Sequence, residues 1–155
     1  MHRLENKIPP PALLALAGLL TFVVDRFDLD GSPLAGPVAR TAAIVIGLIG
    51  VVLGVLGVQR FRSAGTTVDP HSIDNASTLV VGGVYRVTRN PMYLGLVLLS
   101  IAWALRLGTV VGLVAGTGAL VIALSILQIG PEERVLGQRF GVEYEEYRSQ
   151  VRRWL

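Results

Sequence analysis

Two short runs of this 155-residue chain gather the side chains that could do polar chemistry. The first, Gly83 to Gly95, reads GVYRVTRNPMYLG and carries Tyr85, Arg86, Arg89, Asn90 and Tyr93. The second, Gln128 to Leu155, reads QIGPEERVLGQRFGVEYEEYRSQVRRWL and contains the adjacent carboxylates Glu132 and Glu133. Guanidinium, amide, phenol and carboxylate groups brought together would hold a ligand bearing both signs of charge. Either carboxylate is also a candidate proton acceptor. With no Cys, thiol catalysis, disulfides and thiolate metal sites are excluded. The only histidines are His2 and His71, and no Ser/His/Asp set forms around them. There is no P-loop, and Val81-Gly82-Gly83-Val84 is too short for a dinucleotide fingerprint. A plainer reading stands beside the chemical one. First-turn carboxylates suit any helix dipole, and Arg86 and Arg89 would serve as ordinary anchors at a membrane face.

The elements that must position these groups are apolar. Uncharged stretches of 17, 19, 16 and 25 residues fall between Lys7 and Asp25, Arg40 and Arg60, Arg89 and Arg106, and Arg106 and Glu132. Only 16% of the chain is charged, against roughly 25% in a soluble domain. A spanning helix needs about 20 mainly apolar residues. The expectation is therefore an all-α integral membrane domain over residues 1–155, with helices at about 9–24, 37–58, 91–105 and 109–129. Segments of about 65–95 and 128–155 would build the site. The first stretch is kept as a helix and not a signal peptide, because Asp25, Arg26, Phe27 and Asp28 follow it without a small-residue cleavage site.

Eleven of the 14 basic residues lie at the N-terminus, after helix two or in the C-terminal tail. That asymmetry places both termini in the cytoplasm. The net charge of +3 then reflects anionic lipid, and no nucleic-acid partner is expected. Gly47, Gly50, Gly54 and Gly57 share one arc of helix two, and Gly108, Gly112 and Gly116 repeat a small-xxx-small spacing. Such faces let helices pack closely within a bundle, or form a homodimer seam. Pro91 suits a first helical turn, with Asn90 as N-cap, and Pro131 likewise reads as the start of a helix. Gly141 reads as a break within the stripe Leu136, Phe140, Tyr144, Tyr147, Val151 and Trp154, expected to lie on the membrane face or against the bundle. A short turn after Arg106 makes helices three and four neighbours, so Tyr85, Arg89, Asn90 and Tyr93 can approach Glu132 and Glu133.

The run Gly83, Tyr85, Arg89, Asn90, Pro91, Tyr93, Gly95 resembles the cofactor-binding stretch of the isoprenylcysteine carboxyl methyltransferase family. Glu132, Glu133, Leu136, Phe140, Gly141, Tyr144 and Tyr147 are similar to that family's second signature, and phospholipid methyltransferases share related elements. The resemblance spans roughly Gly65 to Trp154. It implies a membrane-embedded methyltransferase that moves a methyl group from S-adenosylmethionine to a small lipophilic acceptor, in the cytoplasmic membrane of a prokaryote. It implies cofactor contacts from Gly83, Tyr85, Arg89, Asn90, Pro91, Tyr93, Gly95, Glu132 and Glu133, with Arg89, Glu132 and Glu133 as the catalytic set and no metal. Many members carry His where this chain has Asn90, and some carry Arg near the position of Gln128. A phospholipid amine, a thiol or an isoprenoid are alternative acceptors. A nicotinamide-dependent membrane reductase and a non-enzymatic scaffold are the readings from other classes.

Overall fold

The computed structural model describes residues 7–27, 29, 31–64 and 78–155. His2, His71 and the Gly65–Asp74 loop lie outside the described residues. Helices account for the architecture, and no strand occurs among the described residues. They are α1 (Pro10–Arg26), α2 (Pro37–Ser63), α3 (Pro91–Leu107), α4 (Val110–Phe140) and α5 (Val142–Gln150), with a 3-10 turn at Gly83–Arg86. Proline occupies the first turn of α1, α2 and α3, where the missing N–H leaves no helical bond unmade.

The N-terminal limits hold to within one residue, and every C-terminal limit moves outward. Helix one continues to Arg26, helix two to Ser63 and helix three to Leu107. The largest change is in α4, which does not stop at residue 129. Pro131 opens no new helix. It sits inside a continuous 31-residue α4. The reason is a π turn at Ser125–Ile129, immediately ahead of it. Proline lacks an N–H and crowds the carbonyl four residues back. The wider turn shifts the bonding frame at that point, so the helix passes through the proline unbroken. A second π turn lies at Leu113–Thr117. Gly108 ends α3 in a left-handed conformation with φ 92°, and Thr109 caps α4 by accepting the Gly112 N–H at 3.0 Å.

Two helices are long and apolar enough to cross a membrane. These are α2, with 27 residues and mean hydropathy 2.6, and α4, with mean hydropathy 2.4. Helices α1 and α3 have 17 residues each. Val45, Leu48, Val52 and Leu56 of α2 are exposed, as a face meeting lipid requires. Leu13 and Ala17 of α1, Tyr93 and Val97 of α3, and Leu120, Leu124 and Ile129 of α4 form the core. Several polar groups inside it are paired. Ser100 and Thr117 hydroxyls meet at 3.0 Å, and Thr21 Oγ1 donates to the carbonyls of Ala17 (2.9 Å) and Gly112 (3.3 Å).

Glycine sets the spacing. Helix α2 packs along α3 so closely that a Cβ on Gly50 would lie 2.8 Å from the Gly95 carbonyl oxygen. One on Gly57 would meet Met92 Cγ at 2.6 Å. On α4, a Cβ on Gly116 would lie 2.9 Å from the Ala17 carbonyl of α1. Gly50 and Gly57 of α2 and Gly116 of α4 are thus in close contact within the chain. Gly50→Ala is expected to lower stability by about 1–3 kcal/mol through overpacking. Gly54→Ala, whose Cβ meets nothing within 4 Å, should be tolerated. Thermal unfolding of the detergent-purified variants measures the difference.

Candidate active site

The first turn of α3 meets the acidic turn of α4, and the two neighbouring carboxylates acquire different partners. Glu132 Oε1 accepts a hydrogen bond from the Tyr93 hydroxyl. Among the described residues no cation pairs with it. Glu133 is held between two guanidiniums. Its Oε1 lies 3.2 Å from Arg89 Nη1 and accepts Arg153 Nε at 3.0 Å, while its Oε2 accepts Arg153 Nη2. The Arg89 and Glu133 side chains are only 10% and 15% exposed, so this pair is largely screened from water. Arg89 Nη1 also donates to the Tyr144 hydroxyl at 3.3 Å. The bond to Glu133 pushes the Arg153 guanidinium above its ordinary value.

The five residues after α5, Val151 to Leu155, tie these parts together. The Arg89 N–H donates to the Arg152 carbonyl at 3.0 Å. The Arg153 carbonyl accepts from Thr88 Oγ1 at 3.1 Å and from Asn90 Nδ2 at 2.8 Å. Asn90 stands at the N-cap position of α3, yet its side chain caps nothing, because its amide is committed to the tail. Trp154 packs on the core just beyond. Helix α5 turns inward after Gly141, whose φ of 50° suits a residue without Cβ. The Tyr147 hydroxyl then reaches the Tyr85 carbonyl at 2.7 Å.

Tyr85 is buried, with its ring 5.5 Å from that of Phe61 at the end of α2. Burial above all, then Tyr147 and Glu132, raise its phenol above the ordinary range, so it stays protonated and able to donate. Burial likewise raises Tyr144 and Tyr147. Two donors in this cluster are buried with nothing to bind: the Tyr85 hydroxyl and Arg89 Nε. A third orphan, Gln128 Oε1, lies one turn before Glu132, while Gln128 Nε2 donates to the Ile8 carbonyl at 2.8 Å.

Of the residues singled out by sequence, the structure brings Tyr85, Arg89, Asn90, Tyr93, Glu132 and Glu133 to one cluster. Three are set apart from it. Gly83, with φ 63°, turns the chain beside Arg60. Pro91 starts α3, and Gly95 lies against α2, where a Cβ would come 2.6 Å from the Gly50 carbonyl oxygen. Thr88, Tyr144 and Arg153 were not singled out as site residues. Tyr144 was legible in the aromatic stripe, but Arg153 read only as one of several basic tail residues. Among the described residues no cluster of three His, Asp or Glu could hold a metal ion.

The model of the phospholipid methyltransferase family matches residues 38–146, which include both carboxylates and the Tyr85–Tyr93 run. The chain belongs to the phospholipid methyltransferase family. Membership makes it a membrane methyltransferase. An uncharacterized protein of Haemophilus influenzae is 41% identical over 64 residues, covering 41% of this chain and 100% of the relative. No solved structure matches the chain. Within this family, Arg153 lies outside the matched residues although it completes the cluster.

Proposed function

We propose that the protein transfers a methyl group from S-adenosylmethionine to a small lipophilic acceptor, an isoprenylcysteine-like carboxylate or a related lipid. The observation that carries this reading is the unequal pairing of the acidic pair. Glu133 is neutralised by Arg89 and Arg153, whereas Glu132 has only a phenol and is left to receive a cation. The orphaned Tyr85 hydroxyl and Arg89 Nε are the matching donors for an anionic group. A carboxylate awaiting a cation beside unpaired donors suits a ligand with ammonium, sulfonium, carboxylate and hydroxyl groups.

S-Adenosylmethionine supplies a methyl group on a positively charged sulfur. The chain's own contribution is positioning and exclusion of water. Glu132 takes the ammonium or ribose hydroxyls, Arg89 and Tyr85 orient an anionic group, and Asn90 and Thr88 hold the tail in place. A carboxylate acceptor needs no base. A phospholipid amine, the second reading that the family match favours, would release its proton to Glu132. We place α1 to α4 across the cytoplasmic membrane, with the site and both termini on the cytoplasmic side. The basic residues around the site support that orientation.

Calorimetry on the detergent-purified protein tests the reading. S-Adenosylmethionine and S-adenosylhomocysteine should bind, and NADPH should not. Binding of NADPH alone would point to a reductase, and binding of none of the three to a scaffold. Either result overturns the proposal.

A further inference from the structure

The tail leaves α5 in extended backbone, with Val151 at φ −123° and ψ 131°. Its attachments go to two different helices. The carbonyls of Arg152 and Arg153 accept from the Arg89 N–H, Thr88 Oγ1 and Asn90 Nδ2, all at the turn into α3. The Arg153 guanidinium forks onto Glu133 of α4. Five residues thus bridge the two elements that carry the cluster. That cluster buries two unpartnered donors, the Tyr85 hydroxyl and Arg89 Nε, so a ligand reaches them only after part of the wall has moved. The tail is the part built to let go. Arg153 is 41% exposed and passes into water on release, whereas Arg89 is 10% exposed. Glu133 keeps Arg89 at 3.2 Å, so the release strands no buried charge. Asn90 stands at the N-cap position of α3, and once its side chain is freed from the tail the first N–H groups of that helix are its alternative partners. Each grip therefore has a second arrangement available, as a two-state element requires.

We infer that residues 151–155 are a latch on the acidic cluster. Seated on Glu133 and on the turn into α3, they hold α3 and α4 together, and their release admits and discharges the ligand. Arg153 is a positioning residue, acting through Glu133 and through the carbonyls beside it. The hinge is the change from helix to extended chain at Val151, which leaves α5 and its Tyr147 bond to the Tyr85 carbonyl in place. The latch lies beyond residues 38–146, the part matched by the family model, so it is a feature of this chain's own tail. That the ligand is S-adenosylmethionine rests on the methyltransferase reading; the latch itself does not.

The test uses the whole protein in detergent. Trp103 and Trp154 are its only tryptophans, so Trp103→Phe leaves Trp154 as a reporter of the tail. Trp154→Phe leaves Trp103 as a reporter of the helix bundle. Arg153→Gln breaks the grip on α4, Arg153→Lys restores the charge without the fork, and Thr88→Val loosens the grip on α3 with little change of shape. Acrylamide quenching of Trp154 should rise in Arg153→Gln and in Thr88→Val, and fall part of the way back in Arg153→Lys. Quenching of Trp103 should stay constant. Association and dissociation rates of radiolabelled S-adenosylhomocysteine should both rise about tenfold in Arg153→Gln, the worth of one charge-assisted hydrogen bond. Thr88→Val should move both rates in the same direction by less. Faster dissociation alone would make Arg153 a ligand contact and overturn the latch. Unaltered rates, or Trp154 quenching unaltered in both grip variants, would overturn it too. So would a parallel rise for Trp103 in both, which would mean a general loosening of the fold. If the native protein binds no S-adenosylhomocysteine, the methyltransferase reading fails instead, and the latch stands or falls on the two tryptophans.

Discussion

Glu132→Gln is expected to weaken binding of S-adenosylmethionine by about 10- to 100-fold, the worth of one charge-assisted hydrogen bond. The fold should survive, because Glu132 has no ion pair among the described residues to lose and glutamine can still accept from Tyr93. Comparing two ligands locates the contact. If Glu132 faces the sulfonium, affinity for S-adenosylmethionine falls far more than affinity for the uncharged-sulfur product S-adenosylhomocysteine. If it faces the ammonium or the ribose, both fall alike. Unchanged affinity for both ligands would remove Glu132 from the site.

Glu133→Gln should act mainly on stability, and in the opposite proportion. Its carboxylate compensates Arg89 and Arg153, and the Arg89 side chain is only 10% exposed. Breaking a largely buried pair by removing one partner costs about 3–5 kcal/mol, because the remaining charge stays desolvated. Arg153 is 41% exposed and can relax into water, so the lower end of that range applies. Thermal unfolding in detergent reads the loss. The double variant Arg89→Met, Glu133→Leu should recover part of it, since it leaves no unpaired charge in that pair. A Glu133→Gln protein as stable as the native one would show the pair to be ornamental.

The helices were legible because long apolar segments announce themselves by absence of charge. Pro91 at the start of α3 and Gly141 at the α4–α5 break were legible for a different reason, since each meets a local backbone requirement, whereas Gly108, read as part of the small-residue face of helix four, instead ends α3 with a positive φ. Continuity through Pro131 was not legible. A π turn leaves no mark in hydrophobic periodicity, and proline ordinarily signals a beginning. Asn90 misled in a related way. Its type and place fit a cap, but capping is decided by what else competes for the amide, here a carbonyl 63 residues later. Gly95 looked like part of a ligand-lining motif and lies instead against Gly50, since a missing side chain serves either purpose. Arg153 escaped because its position depends on bonds that the Thr88 hydroxyl, the Asn90 amide and the Arg89 N–H donate to the carbonyls of Arg153 and Arg152, which carry no sequence signature.

The close seam between α2 and α3 has a mechanical consequence. Backbones in contact through glycine have little room to slide, so these two helices behave as one plank. Through Phe61 and Met92 that plank carries Tyr85 and the turn that leads into Tyr93. Glu132 and Glu133 ride on α4, which meets α3 through larger side chains and two widened turns. Any opening of the cluster is therefore a shift of α4 against the plank. A bridge engineered across α3 and α4 would lock the protein in one state, whereas one across α2 and α3 would leave its motion untouched.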